Sequence, residues 1–188
     1  MLLAVLLACS VVGERPAPIG VQIAQAAERQ VGVTVVYDPS YVSIRYPGGD
    51  LPVSRGVCAD VVIRAYRAAG IDLQRGVHED MVRAFSRYPR LWGLSRPDAN
   101  IDHRRVPNLM KFFERRGKVV SGTFEAGDVV AWRLPGGLYH IGVVSLDSAE
   151  AGRPLMIHNI GRGAEKEDVL FAYEVIGHYR WQSLLQLR

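Results

Sequence analysis

The chain has 188 residues, 48% of them apolar and 22% charged, with a formal net charge of +4. That length suits one domain with a sizeable core, and the apolar content excludes global disorder. The basic residues are scattered without a run of five or more, so the mild basicity suits an anionic polymer but is not by itself a nucleic-acid signature, and the two cysteines, Cys9 and Cys58, lack the C-x-x-C spacing of a zinc ribbon or thioredoxin site.

Residues 1–18 read as a leader and tether. MLLAVLLACSVV is too short to span a bilayer but has the length of a secretory h-region. L-L-A-C-S has the form of a lipobox, with Cys9 as the lipidated residue and a membrane anchor. No Lys or Arg precedes the apolar run, so a misplaced start on a cytosolic protein is the alternative. Ala24-Gln25-Ala26 has the form of a cleavage site but falls in the first folded helix. GERPAP, 13–18, is a flexible segment.

From 19 to 188 the pattern reads as a single α+β domain. IGVQIAQAAERQV, 19–31, is a helix with an Ala-rich face. TVVYDPSYVSIRYPGGDLPVSRG is a long ordered loop with one short strand. A helical period starts at 56, with Val57, Val61, Ile63, Ala65 and Ala68 on the apolar side and Gly70 as its stop. GVHEDMVRAFSRY, 76–88, reads as a second helix, and WGLSRPDANIDHRRVPN as an irregular polar stretch. PNLMKFFERR, 107–116, is a third helix that opens on Pro and ends before Gly117. The period then becomes two: Asp128 to Leu134, His140 to Leu146 and Leu155 to Asn159 are strands, with a hairpin at Gly136-Gly137. EDVLFAYEVIGHYRW adds one or two more. Helices first and antiparallel strands later define an α+β fold.

Cys58 stands at a helix start, where unpaired N–H groups and the positive end of the helix dipole stabilise a thiolate and a developing oxyanion. With Cys9 in the leader, Cys58 is a free thiol, and the competing reading is a small core residue. A nucleophilic cysteine needs a base, and the base needs an orienting group. His140 opens one strand and His158 lies near the end of the next, so antiparallel pairing brings the two imidazoles to one sheet edge. Asn159 is the rival orienting residue. Neighbouring strand residues face opposite sides, so one of the pair meets His140. Asp60 reads as a helix-dipole charge that opposes thiolate formation. His78, Glu79 and Asp80 read as the opening charges of the second helix, and His178 as structural. Asp98, Asn100, Asp102, His103, Arg104 and Arg105 form a dense polar loop. It either lines the cleft and binds a substrate carboxylate through its arginines, or satisfies itself through Asx turns and salt bridges.

The order Cys58, then H-I-G-V-V, then I-H resembles the NlpC-type cell-wall peptidases, papain-like enzymes that cut peptidoglycan stem peptides. Tyr46-Pro47-Gly48-Gly49 stands before Cys58 as an aromatic and a Gly pair do in that group, while Val57 and Ala59 replace its flanking Asp and Ser. Over residues 22 to 182, YDPSYVSIRYPGGD, RGVCADVVIRAYR, HEDM, RPDANIDHRRVPNL, HIGVV, IHNIG and GHYR are similar to the YijF-like bacterial family, domain of unknown function 1287. The resemblance implies a papain-like fold, with a helical half bearing the cysteine packed on an antiparallel sheet bearing the histidines. It implies Cys58 as nucleophile, His140 as general base and acid, His158 as orienting residue and Tyr46 as an added donor. Asn159, Asp102, His103 and Arg104 are the candidate substrate-binding residues. The expected activity is hydrolysis of a stem-peptide amide outside the cytoplasm, in the periplasm or at the outer membrane, by a monomer without cofactor. An acyl transferase with the same triad, a catalytically silent cell-wall peptide-binding module, and a zinc protein using Cys58, His140 and His158 are the alternatives.

Overall fold

The structure is a computed structural model that describes residues 16–182. The expected lipobox with Cys9 lies outside the described residues, as does most of the leader.

The first helix, α1 (Ile19–Glu28), turns Ile23, Ala24, Ala26 and Ala27 into the core. It ends three residues before the expected 31, because Gln30 leaves the helical path and donates to the Val61 carbonyl at 2.9 Å. Glu28 accepts hydrogen bonds from the Ser145 hydroxyl at 2.6 Å and the Leu146 N–H at 3.1 Å, which ties α1 to the sheet. Close packing here needs a glycine: a Cβ on Gly20 would lie 2.6 Å from the Ala126 carbonyl oxygen.

The long loop holds two short strands rather than one, β1 (Val36–Tyr37) and β2 (Arg55–Gly56), paired in parallel. This pairing sets Tyr37 opposite Gly56, two residues ahead of the cysteine. Helix α2 (Cys58–Ala68) follows and buries Cys58, Ala59, Val61, Val62, Ile63, Ala65 and Tyr66. Helix α3 (Leu73–Ala84) begins earlier than the expected 76, since the Asp72 side chain caps it by accepting from the Arg75 N–H at 3.2 Å. Gly76 is therefore inside the helix. It is small because the Phe112 ring packs there, 2.9 Å from where a Cβ would stand. A 3-10 turn, Phe85–Arg87, continues it. Helix α4 (Val106–Arg116) carries Pro in its first turn as expected.

The strands are β3 (Lys118–Val119), β4 (Val129–Arg133), β5 (Tyr139–Ser148), β6 (Pro154–His158), β7 (Glu165–Glu167) and β8 (Glu174–Arg180), in the sheet order β3-β8-β4-β5-β6-β7, all antiparallel. Gly136 and Gly137 make the β4–β5 connection at φ +80° and +81°, a region closed to most other residues. Alternation along the strands divides two cores. Val129, Ala131, Ile141, Val143 and Ile157 pack against the helices. Val130, Trp132, Val144, Met156 and Leu170 form a smaller cluster on the opposite face. His178 is structural as expected, with Nε2 2.7 Å from buried Asp128. Among the described residues no helix is long and apolar enough to cross a membrane.

Asp80 is not an opening charge of its helix. It is buried in the second turn and receives Arg115, Arg116 and Tyr88, which cross-links α3 to α4. Burial alone would raise its carboxyl, but the hydrogen bonds from Arg115, Tyr88 and Arg116 override it and hold the group below its ordinary 3.8. A depressed folded pKa gives stability that is complete above about pH 4 and is lost as the pH falls further. Asp80→Asn is therefore expected to lower the thermal midpoint at neutral pH. It should also flatten the loss of stability that wild type shows as the pH falls below about 4. Parallel acid curves for the two proteins in a thermal-melt series would show that Asp80 does not carry the effect.

Candidate active site

Cys58 is the first residue of α2 and is 5% exposed, with its side chain in the wall of a cleft of about 690 Å³. Asp60, two residues on, reaches back to accept the Val57 N–H at 2.7 Å, half of a capping box that pins the chain as it enters the helix. Asp60 is thus a capping group and not simply a dipole charge. Its carboxylate also takes Arg104 Nε at 3.0 Å and Nη2 at 3.0 Å. Arg104 goes on to donate to the Ser40 and Asp38 carbonyls, each at 2.9 Å. Of this buried ion pair, Arg104 lines the cleft and Asp60 lies behind it.

His140 and His158 meet in the sheet, with His140 Nε2 2.9 Å from His158 Nδ1. Both are buried, and both lie against Trp132, whose ring centre is 5.7 Å from that of His140. Gly142 makes the meeting possible. A Cβ there would stand 3.0 Å from the His158 Cβ and 3.2 Å from the Trp132 ring. On the far side of His158, Glu167 Oε2 lies 3.1 Å from Nε2. It sits off the N–H direction, so the contact is an electrostatic one more than a well-directed hydrogen bond. Glu167 came from no sequence signal beyond the E-K-E alternation, since β7 meets β6 only in the folded sheet.

Asn159 faces away from His140, as alternation requires of one member of the His158-Asn159 pair. Its amide donates to the Gly56 carbonyl at 3.0 Å and its oxygen accepts from the N–H groups of Gly161 and Gly163. It latches the end of β6 to the segment that delivers Cys58.

The polar loop is bonded to itself and to the 38–44 segment, with Asp102 Oδ1, His103 Nδ1 and Arg105 Nη1 left buried without a partner. Asp102 and His103 are buried and do not line the cleft; Arg104 and Arg105 do. Asp102 accepts the Asp98 N–H at 2.6 Å, and burial raises its carboxyl. Burial pushes His103 down to about 4, helped by Arg104 and Arg67. Tyr46 also lies away from the cleft, with its ring edge-on to His78 at 5.1 Å. The tyrosine beside the cysteine is Tyr37, whose phenol is raised by burial and then by the charges of Cys58 and Asp60. Sequence reasoning passed over Tyr37 because its partner strand, Arg55–Gly56, is too short to announce itself. Among the described residues, no group of three or more His, Cys, Asp and Glu side chains is placed to hold a metal ion.

Burial outweighs the helix terminus at Cys58. It pushes the thiol up to about 12, against the lowering effect of the Ile141, Ala59 and Cys58 amides. Burial also pushes His140 down to about 3, with His158 adding to the effect. His158 is lowered by burial and partly restored by Glu167 and Glu165. The resting site therefore holds a neutral thiol and a neutral imidazole, with the sulfur against the Ile141 amide, one residue past His140. Among the described residues no hydrogen bond joins Cys58 to His140 at rest.

A helical half with a cysteine at a helix start, packed on an antiparallel sheet with paired histidines, is a papain-like α+β fold of the NlpC type. Two solved structures share it. NlpC1 of Trichomonas vaginalis matches with a TM-score of 0.51 at 13% identity, over 90% of this chain and 46% of its own. NlpC2 of the same organism matches at 0.50 and 13% identity, over 91% of this chain and 49% of its own. The chain spans about half the length of these two, and the likeness is one of fold. A family model described as "Domain of unknown function (DUF1287)" matches residues 24–181, and the chain belongs to that family. Uncharacterized protein YijF of Escherichia coli (strain K12) is 56% identical over 164 residues, 85% of this chain and 80% of the relative.

Iodoacetamide is expected to alkylate resting Cys58 slowly at neutral pH, at a rate still climbing above about pH 9. A rate already at its plateau near about pH 6 would instead mean a thiolate–imidazolium pair. Asn159→Ala removes a buried latch and should cost about 1–3 kcal/mol in urea unfolding. An unchanged urea midpoint would mean that the two halves are held in register without it.

Proposed function

We propose that the chain is a cysteine hydrolase that cleaves an amide bond in peptidoglycan stem peptides. The observation that carries this reading is the 2.9 Å contact of His140 Nε2 with His158 Nδ1, on the strand whose Tyr139 lines the cleft that holds Cys58 and whose Ile141 amide meets the thiol. If His140 donates through Nε2, His158 accepts at Nδ1 and keeps its own proton on Nε2, facing Glu167. That tautomer leaves His140 Nδ1 with a free lone pair for the Cys58 proton.

In the reaction, His140 Nδ1 takes the thiol proton as Cys58 Sγ attacks the substrate carbonyl carbon. The oxyanion that forms accepts hydrogen bonds from the amides at the start of α2 and from the Tyr37 phenol. The C–N bond then breaks, and His140 returns its proton to the leaving amine. Water attacks the thioester with His140 as base, releases the acid, and restores the thiol. The positive charge on His140 in each transition state is spread through His158 toward Glu167. Contacts of this kind tighten when substrate displaces water, so the neutral resting pair is the starting point of the cycle.

The cell-wall substrate rests on the NlpC-type motif order in the sequence and on the apolar leader. Together they favour an extracytoplasmic location, periplasmic or held at the outer membrane through a lipidated Cys9, and a monomeric protein without cofactor. The neutral thiol favours the second reading, a cell-wall peptide-binding module without catalysis. Digestion of purified peptidoglycan separates the two. Wild type is expected to release soluble peptides with new amino termini, Cys58→Ala none, and His140→Ala at a rate roughly 100-fold or more lower. Binding to the sacculus without release of any peptide by wild type would leave the binding module standing.

A further inference from the structure

The cleft walls carry a charge that the hydrolase chemistry does not use. The cleft is lined by aromatic and apolar residues and by two arginines, with no Asp or Glu among them. Arg104 is neutralised by Asp60. Arg105 is not: among the described residues its side chain makes no hydrogen bond and no ion pair, and its Nη1 is buried without a partner. A buried guanidinium nitrogen with no acceptor is costly, and a substrate that supplies one gains the difference.

Arg105 is also held in place. Its Cζ lies 4.7 Å from the ring centre of Trp92, a cation–π contact that braces the guanidinium plane without consuming its donors. Trp92 is 60% exposed and sits at φ +57°, a left-handed conformation unusual for a bulky residue. Backbone strain of this kind persists where the surroundings enforce it and is found at ligand clamps. Helix α4 begins in the same wall, with Val106 and Pro107 lining the cleft, so its positive end adds to the field.

We propose that Arg105, braced by Trp92, binds a carboxylate of the substrate within the cleft that holds Cys58. This deepens the hydrolase reading above and rests on it for the substrate class: the stem peptide is taken as its free acid beside the bond that is cut, and a form amidated at that position is discriminated against. The same lining offers no carboxylate to pair with a substrate ammonium group, so recognition of a free amino terminus in this cleft is disfavoured.

The test uses Cys58→Ala protein, titrated by NMR through the Trp92 indole N–H and Arg105 Nε–H signals. One probe pair is N-acetylated, C-amidated L-alanyl-D-isoglutamyl-L-lysine and its D-isoglutamine counterpart, which differ in one carboxylate. A second pair, N-acetylalaninate and N-acetylalaninamide, assumes nothing about the cell wall. The acid of each pair is expected to bind roughly 10-fold or more tighter than its amide. That preference should fall to about 1 in Arg105→Gln and be partly kept in Arg105→Lys, which retains charge without the planar fork. Since the Arg105 side chain makes no hydrogen bond to the chain, Arg105→Gln should still fold, with a cooperative thermal transition. Equal affinities for acid and amide in both pairs, or a preference that survives Arg105→Gln, overturns the carboxylate subsite. If the simple acid alone binds through Arg105 and the stem tripeptide does not bind, the subsite stands and the cell-wall substrate falls.

Discussion

A single buried ion pair organises the cleft. Asp60 caps the entry to α2 at Val57, and the Arg104 that neutralises it reaches on to the backbone of Asp38 and Ser40. Three segments far apart in sequence are thereby fixed to one point: the Tyr37–Ser40 strand and loop, the first turn of the cysteine helix, and the polar loop that leads into α4. Buried ion pairs of this sort are weak sources of net stability, because both charges give up water. Their strength is positional. With all the strong acceptors around Arg104 accounted for, the start of α2 has one place to sit, and Cys58 and Tyr37 have one relation to each other.

The electrostatics of the site follow from that burial. A helix start surrounded by water would favour a thiolate, but here the same packing that fixes Cys58 also removes the solvent a thiolate needs, and the thiol is held near 12. The histidine pair is driven to the neutral form by the same cause. Glu167 is the countervailing element, since it favours a positive His158. The site therefore rests uncharged, with the means to hold an imidazolium at one end and an oxyanion at the other once a substrate occupies the cleft.

The α+β order, the helix that starts at Cys58, the hairpin at Gly136-Gly137 and the strands that carry His140 and His158 were all legible in the sequence, because each is announced by local periodicity or by a turn residue. Alternation also showed that one of His158 and Asn159 meets His140, but which of the two is seen only in the folded sheet. What escaped were contacts between residues with nothing local in common. Glu167 reaches His158 across a strand pairing, Tyr37 reaches the Cys58 region through strands of two residues, and Gly76 looks like a helix boundary until Phe112 is seen packed on it. The polar loop was ambiguous for a related reason: composition alone does not tell Arg104, whose donors are all used inward, from Arg105, whose donors are not.

The latch at Asn159 makes the register of β6 self-checking. Strand residues alternate, so a slip by one position would turn the imidazole of His158 toward Gly56 and carry the Asn159 amide to the His140 side. Both exchanges are poor: the Gly56 carbonyl would lose its amide donor, and the amide oxygen that gathers the Gly161 and Gly163 N–H groups would be gone from the turn. A chain that has paired this strand wrongly thus loses the latch between its helices and its sheet. The histidine pair and that latch depend on one and the same strand register.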